Sequence, residues 1–154
     1  MESINGKSGH YQLVEQFMKM AGQERLERPG EPSRATRLLR ARLMMEETLE
    51  TIRALGVRVK CSVPGADVDS FAFLYIADGA FNLAEVVDGC CDVKVVTTGT
   101  LVACGVADEA AQRAVDLHNL GKFGPGHAIR ADGKLVKPPG YPAPDLSAVL
   151  GGGS

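Results

Sequence analysis

Two segments with helical spacing each carry a cluster of carboxylates, and this pattern constrains the chain more than any other feature. The clusters consist of Glu46, Glu47 and Glu50 in the first segment and of Glu85, Asp88 and Asp92 in the second. Residues three or four apart share one side of a helix, where like charges repel at roughly a few tenths of a kcal/mol per pair. Because Leu39 and Leu43 lie on the same side as the glutamates, we expect half-buried acids.

Half-buried carboxylates that face one another either take up protons or bind a cation. Oxygen ligands favour Mg²⁺ or Mn²⁺, whereas Zn²⁺ prefers cysteine and histidine. The alternative is two acidic surface patches on amphipathic helices. The cysteines support neither a zinc site nor a disulfide framework, because they form no CxxC motif, and we expect buried free thiols. They are Cys61, Cys90, Cys91 and Cys104.

The periodicity of apolar residues predicts an all-α domain with four helices. The predicted helices cover about residues 10–21, 34–55, 83–104 and 109–120. Short polar residues before each helix are candidate N-caps, and two glycines are candidate C-terminal stops. The N-cap candidates are Ser8 or Gly9, then Ser33, Asn82 and Asp108, and the stops are Gly56 and Gly105.

Between the second and third helices, residues 57–63 alternate apolar and polar side chains, and residues 71–76 are rich in β-forming residues. This pattern predicts a small β-hairpin insert over about residues 57–79. After Gly121 the chain is rich in glycine and proline, which predicts an extended C-terminal tail over residues 122–150 that is not helical. Residues 151–154 read as a flexible end, and residues 1–150 as a single domain with a helical core over residues 8–121.

The acidic pattern resembles that of the MazG-like nucleoside triphosphate pyrophosphohydrolases, which are relatives of the dimeric dUTPases and of phosphoribosyl-ATP pyrophosphohydrolase. The family pattern of EExxE followed by ExxD appears here as Glu46-Glu47-x-x-Glu50 and Glu85-x-x-Asp88. Residues 83–92, 117–122 and 132–139 resemble segments of phage-type members, and the likeness covers roughly residues 10–147. One departure is the long spacing between Glu50 and Glu85, which accommodates the hairpin.

The resemblance implies a four-helix MazG-like fold and the cleavage of a nucleotide between its α- and β-phosphates, which releases pyrophosphate. Since a triphosphate is strongly anionic, acidic residues can hold it only through divalent cations. By resemblance, the metal ligands are Glu46, Glu50, Glu85 and Asp88. Glu47 is either a further ligand or the catalytic group that deprotonates the attacking water. Asp92, one turn beyond Asp88, is a candidate outer-shell partner of the metal site.

The resemblance also implies cationic side chains that bind the phosphate oxygens of the nucleotide. The candidate nucleotide-binding cations are Lys122, Arg130, Lys134 and Lys137, and Asn119 is a candidate hydrogen-bonding group for sugar or phosphate. The resemblance to phage-type members implies a deoxynucleotide as the substrate. A purine deoxynucleotide such as dGTP is one candidate. The two alternatives are a phosphoribosyl-ATP pyrophosphohydrolase and a non-catalytic metal-binding regulatory module. The family forms homodimers or homotetramers, and we expect the same here.

Charge and hydropathy narrow the choice of partners. The net charge is −2 and no long basic run is present, which disfavours binding to nucleic acid. No apolar stretch reaches the roughly 18 to 20 residues of a membrane span, and residues 1–6 lack the apolar core of a signal peptide. We therefore expect a soluble cytoplasmic protein, located in the host cytoplasm if phage-encoded.

Overall fold

The computed structural model describes residues 2, 4–61, 73–131 and 133–151. The helices are α1 (Gly9–Met20), α2 (Arg34–Ala54), α3 (Leu83–Ala103), α4 (Asp108–Gly121) and the short α5 (Ser147–Leu150). The strands are β1 (Val57–Cys61), β2 (Phe73–Ala77), β3 (Ala128–Ile129) and β4 (Leu135–Val136). The predicted all-α class with a hairpin between the second and third helices and a C-terminal tail is confirmed. The four long helices begin and end within about one residue of their predicted bounds.

The chain divides into two compact units: unit 1 comprises Met1–Glu31 and Leu101–Ser154, and unit 2 comprises Pro32–Thr100. The prediction that residues 1–150 form one domain stays a prediction. In the described part of the chain, no single helix is long and apolar enough to cross a membrane.

The core of unit 1 is formed by α1 and the residues around the end of α3. Tyr11 and Met18 on one face of α1 and Val102 near the end of α3 are almost completely buried. The loop after α1 is held against the end of α3, since the Gly30 amide donates to the Cys104 carbonyl at 3.0 Å. Gly105 has a φ of 70°, and a β-carbon there would lie 2.9 Å from the Leu26 carbonyl oxygen. This glycine therefore stops α3 as predicted and admits the loop.

The start of α4 differs from the prediction in its N-cap. Ala107 occupies the N-cap position and makes no side-chain cap bond. Asp108 is instead the first residue of α4, and its carboxylate accepts a hydrogen bond from the Ser8 amide at 2.9 Å and another from the Ser8 hydroxyl at 2.5 Å. Ser8 in turn caps α1, because its hydroxyl accepts from the Tyr11 amide. The prediction of Asp108 as a cap was wrong because a partner distant in sequence binds its carboxylate.

The tail is more structured than the expected extended segment. Strands β3 and β4 pair in antiparallel register around a turn in which the Gly133 amide donates to the Arg130 carbonyl at 2.9 Å. Helix α5 forms a single turn whose first amide, from Ser147, donates to Asp145 Oδ1. The expectation that the tail contains no helix was wrong, because α5 follows Pro144, the last proline of the chain, and a proline there does not prevent a later helical turn.

In unit 2, the hairpin pairs β1 with β2 from Val57↔Ala77 to Cys61↔Phe73. The predicted strand ends in residues 62–72 lie outside the described residues. At the base of the hairpin, the Gly79 amide donates to the Gly56 carbonyl at 2.8 Å. Gly56 has a φ of 75° and leaves no room for a β-carbon, which would lie 2.6 Å from the Gly79 carbonyl oxygen. These two glycines bring the end of α2 close to the start of α3.

For the three cysteines whose side chains the structure describes, the prediction of free thiols is confirmed and the prediction of burial is wrong; the side chain of Cys61 lies outside the described part. Cys90 and Cys91 are free and exposed, and Cys104 is free and half-buried. Gly89 is a residue of α3 that lies against α2, where it meets Thr51. Because successive helical residues are rotated by about 100°, the next two residues point away from this contact, which explains their exposure.

Candidate functional site

Helices α2 and α3 carry the predicted metal-ligand residues, all of which lie in unit 2. Glu47 is half-buried, and the other carboxylates are exposed. The exposed ones are Glu46, Glu50, Glu85, Asp88 and Asp92. The expectation of half-buried acids was therefore wrong for all but Glu47. The five exposed carboxylates are therefore open to solvent.

The position of Glu47 is set by a close approach of the two helices at Gly89. A β-carbon on Gly89 would lie 3.1 Å from Thr51 Cβ and 3.2 Å from Thr51 Cα. Thr51 lies one turn after Glu47, and its hydroxyl donates to the Glu47 carbonyl at 2.7 Å. Since Asp88 precedes Gly89 and Asp92 follows it by three residues, this contact brings the acids of α3 towards Glu47.

The electrostatics of Glu47 show that carboxylates from both helices act on one group. Burial raises the pKa of Glu47, and the negative charges of neighbouring carboxylates raise it further. In order of decreasing effect, these neighbours are Asp92, Glu50, Glu46 and Asp88. Asp92 is thus the carboxylate with the largest effect on Glu47, and its role as an outer-shell partner of the metal site stays a prediction. Glu85 is not among these neighbours, and it lies in the first turn of α3 beside the cap residue Asn82.

The donor chemistry of this cluster fits a divalent cation such as Mg²⁺ or Mn²⁺. All six side chains offer carboxylate oxygens, the ligands that these hard cations prefer. A cation among them would relieve the repulsion that raises the pKa of Glu47. In the described residues, however, no three carboxylate, histidine or cysteine side chains converge closely enough to hold an ion. The helices bring several of the donors near Glu47 but do not converge them on one point. Their assignment as metal ligands stays a prediction.

Unit 1 contains a pocket of about 660 Å³ between the end of α4 and the tail. It brings together four of the five predicted nucleotide-binding residues, namely Asn119, Lys122, Lys134 and Lys137. The Asn119 side-chain oxygen accepts a hydrogen bond from Lys122 Nζ, so α4 presents these two groups together. The fifth candidate, Arg130, does not line this pocket. Its backbone instead closes the turn between β3 and β4.

The pocket also has an apolar wall that the sequence reasoning missed. This wall consists of Leu120, Phe123 and Leu135, and the carboxylate residue Asp116 also lines the pocket. Phe123 is 55% exposed, and its ring lies 5.8 Å from the ring of His127, measured between centroids. The aromatic residue directly after Lys122 was the available signal in the sequence, because such rings offer a face for stacking.

Tyr141 attaches the tail to the last turns of α4. Its hydroxyl donates to the His118 carbonyl at 2.9 Å, and its ring lies 4.8 Å from the His118 ring. Gly121 makes room for this contact, since a β-carbon there would overlap the Tyr141 hydroxyl. Burial lowers the pKa of His118, and the charges of Lys122 and Lys137 lower it further. The attachment thus keeps Lys137 of the tail and Lys122, the residue after α4, near His118.

Comparison with known proteins identifies one family. A protein-family model described as phosphoribosyl-ATP pyrophosphohydrolase (PRA-PH) matches residues 14–119. The match spans both carboxylate clusters and ends at Asn119, so the lysines of the pocket in unit 1 follow it. No curated protein matches the chain.

Proposed function

Because the chain belongs to the phosphoribosyl-ATP pyrophosphohydrolase family of the MazG-like superfamily, we propose that it hydrolyses a nucleoside triphosphate, with a divalent cation, to the monophosphate and pyrophosphate. Members of this family are hydrolases that act on nucleotide phosphoanhydride bonds, so the chain is a nucleotide pyrophosphohydrolase. The enzyme class follows from the family. The identity of the substrate, the metal and the roles of the individual residues are proposals.

The observation that carries the proposal is the set of carboxylates acting on Glu47 from two helices. A site with this much negative charge repels a triphosphate unless divalent cations intervene. Glu46, Glu50, Glu85 and Asp88 are the proposed metal ligands, and Asp92 supports them from one turn further along α3. When bound, Mg²⁺ or Mn²⁺ would neutralise phosphate charge and favour deprotonation of the attacking water.

Glu47 is the proposed general base, because it is the half-buried member of the cluster. A carboxylate with this environment accepts a proton from water more readily than an isolated one. The hydrogen bond from Thr51 to the Glu47 carbonyl and the contact of Thr51 with Gly89 hold the backbone of Glu47 in place. The chain thus supplies both the position of the Glu47 carboxylate and its increased affinity for a proton.

The pocket in unit 1 supports a nucleotide as the substrate. Its lysines provide charge for phosphate oxygens, and Asn119 provides hydrogen bonds. Phe123 offers a face for stacking against a nucleobase, an interaction that every base can make. Its volume of about 660 Å³ lies within the range typical of sites for small molecules.

The second candidate substrate is phosphoribosyl-ATP, and the description of the matching family favours it. This nucleotide carries an additional ribose phosphate, so it would need more space and more cations than an ordinary triphosphate. We prefer the ordinary triphosphate because the tail resembles that of phage-type members and because the hairpin lengthens the spacing between the acidic clusters. A substrate panel that includes dGTP would identify the preferred nucleobase.

We further propose that the enzyme works as a homodimer or homotetramer. Leu13, Phe17 and Met20 form an apolar stripe on α1, and they are 56%, 61% and 81% exposed. Large exposed apolar patches mark surfaces that bind partners. Light scattering of the purified chain measures the oligomeric state directly.

The test of the proposed function is pyrophosphate release from all ribo- and deoxyribonucleoside triphosphates and from phosphoribosyl-ATP, with Mg²⁺ or Mn²⁺. Glu50→Ala and Asp88→Ala should each lower the rate at least about 100-fold, because a proposed metal ligand is lost and a bound metal contributes several kcal/mol of transition-state stabilisation. Glu27→Gln, in the exposed loop after α1, is the matched control and should retain full activity. Full activity of both site variants would refute the assignment, and turnover of phosphoribosyl-ATP alone would favour the second candidate.

A further inference from the structure

The hairpin insert creates a second pocket, in unit 2, between the second half of α2 and strand β1. Its volume is about 280 Å³. Arg53, Arg58 and Lys60 line it together with apolar side chains that include Leu49 and Ile52. Within the described residues, no carboxylate lines the pocket.

The charges around this pocket favour an anion that carries more than one negative charge. Asp78 forms an ion pair with Arg58 in which the Arg58 Nε donates to Oδ1 at 2.8 Å. The charge of Lys60 also acts on Asp78, but one carboxylate cannot balance three cations, so the pocket carries a net positive charge. Arg58 also retains N–H groups, because its guanidinium has five and Asp78 accepts two. The lining therefore offers hydrogen-bond donors and positive charge together.

The volume limits the size of the ligand. Sites that bind drug-sized molecules occupy about 300–1,000 Å³, so a pocket of about 280 Å³ is small for a whole nucleoside triphosphate. A compact polyanion made of two phosphate groups suits both the volume and the donor set. Arginine is well suited to such groups, since its planar fork binds phosphate with two parallel hydrogen bonds.

The pocket lies next to the carboxylate cluster on the same helix. Leu49 lines it and precedes Glu50 directly, and Arg53 follows Glu50 by three residues. One helical turn rises about 5.4 Å, so the two sites are adjacent along α2. A phosphate chain held at the carboxylates can therefore extend towards Arg53.

We propose that this hairpin pocket binds the β- and γ-phosphates of the substrate and then the pyrophosphate that leaves. This inference rests on the proposed function for the identity of the polyanion. It assigns a role to the hairpin, which lengthens the spacing between the two acidic clusters. Arg53 and Lys60 are binding residues in this role, and Arg58 is held in position by Asp78.

The test measures binding of inorganic pyrophosphate by calorimetry, without substrate turnover and without added metal. Arg53→Gln and Lys60→Gln should each weaken binding about tenfold, as the loss of a charge-assisted hydrogen bond predicts. Lys94→Gln, an exposed cation on α3 outside both pockets, is the matched control and should bind as the wild type does. Circular dichroism checks that each variant is folded.

Two outcomes separate this inference from the proposed function. If the wild type binds pyrophosphate through Arg53 and Lys60 but hydrolyses no nucleotide, the proposed function fails and the anion pocket stands. If nucleotides are hydrolysed but Arg53→Gln and Lys60→Gln bind pyrophosphate normally, the pocket assignment is wrong. A loss of pyrophosphate binding in Lys134→Gln, with no loss in the hairpin variants, would likewise overturn it.

Discussion

Gly89 of α3 lies against Thr51 of α2 so closely that a β-carbon on Gly89 would overlap the Thr51 hydroxyl and lie 3.2 Å from Thr51 Cα. Backbone atoms cannot move aside as the end of a flexible side chain can. The contact therefore sets the distance between the two helices that carry the acidic clusters. Glu47 lies one turn before Thr51, and Asp88 and Asp92 lie on either side of Gly89 in the chain.

We predict that Gly89→Val separates the two helices and lowers both stability and activity. Forcing extra carbon atoms into a close contact typically costs about 1–3 kcal/mol, and activity should fall further because the carboxylates move apart. Urea unfolding and pyrophosphate release measure the two effects. Gly124→Ala is a suitable control, since a β-carbon there would make an ordinary contact at 3.5 Å. Native stability of Gly89→Val would show that the contact does not position the helices.

We predict that Glu47→Gln stabilises the metal-free protein while abolishing activity. The substitution removes one of several mutually repelling charges around a half-buried position, which should raise the free energy of unfolding by roughly a few tenths of a kcal/mol. Added Mn²⁺ should stabilise the wild type more than the variant, because a bound ligand stabilises the folded state. Thermal melting with EDTA and with Mn²⁺ measures both effects. A variant that is less stable without metal would contradict the repulsion.

Local signals explain why the helices were predictable. Ser8, Ser33 and Asn82 cap their helices with side-chain oxygens, and Gly56 and Gly105 end theirs with positive φ. Each of these features depends on residues within a few positions of one another. Asp108 behaved otherwise because its partner, Ser8, is 100 residues away in the chain, a distance over which sequence spacing gives no information.

The candidate site was predictable in composition but only partly in arrangement. Helical spacing identified the acids, yet it could not show how far a neighbouring helix covers them, and all but Glu47 are exposed. The lysines of the tail were identified by resemblance, whereas Leu135 and Phe123 were missed. Whether the tail brings Leu135 to Phe123 depends on Tyr141, whose hydrogen bond to the His118 carbonyl joins residues 23 positions apart. Such long-range contacts are decided by packing and leave no periodic pattern.

We predict that Tyr141→Phe weakens nucleotide binding without changing the rate of the bound enzyme. The variant keeps the ring on His118 but loses the hydrogen bond to the His118 carbonyl, a net contribution of about 1 kcal/mol. KM should rise about fivefold with kcat unchanged, as expected for a positioning residue. Gly121→Ala should have a larger effect, because its β-carbon would displace the Tyr141 hydroxyl. A fall in kcat of about fivefold with KM unchanged would contradict this role.

We predict that Phe123→Ala raises KM for every nucleoside triphosphate by about tenfold. Stacking of a base on an aromatic ring contributes about 1–3 kcal/mol and tolerates any base. Phe123→Tyr should retain near-normal binding, since it preserves the ring. The control is Leu117→Ala, which removes an exposed side chain of α4 that does not line the pocket. An effect confined to one base would instead indicate a specific contact at this position.

We predict that Tyr11 makes the protein lose stability in alkali. Burial raises the pKa of Tyr11 to about 12, and the charges of Glu15 and Asp108 add to this effect. Its pKa in the unfolded chain is the ordinary value of about 10, so the folded state holds the phenol proton more tightly. The resulting stability is fully present below about pH 10 and is lost as the pH rises through about 12. The contribution is on the order of 3 kcal/mol.

Urea unfolding of the wild type and of Tyr11→Phe between about pH 9 and 12 measures this contribution. The difference between the two free energies of unfolding should change with pH in favour of Phe, because Phe has no proton to lose. Other lysines and tyrosines titrate in both proteins and cancel in the difference. Tyr11 is 1% exposed, and Phe preserves the buried ring in the core of unit 1. A pH-independent difference would mean that Tyr11 ionises as readily in the folded protein as in the unfolded chain.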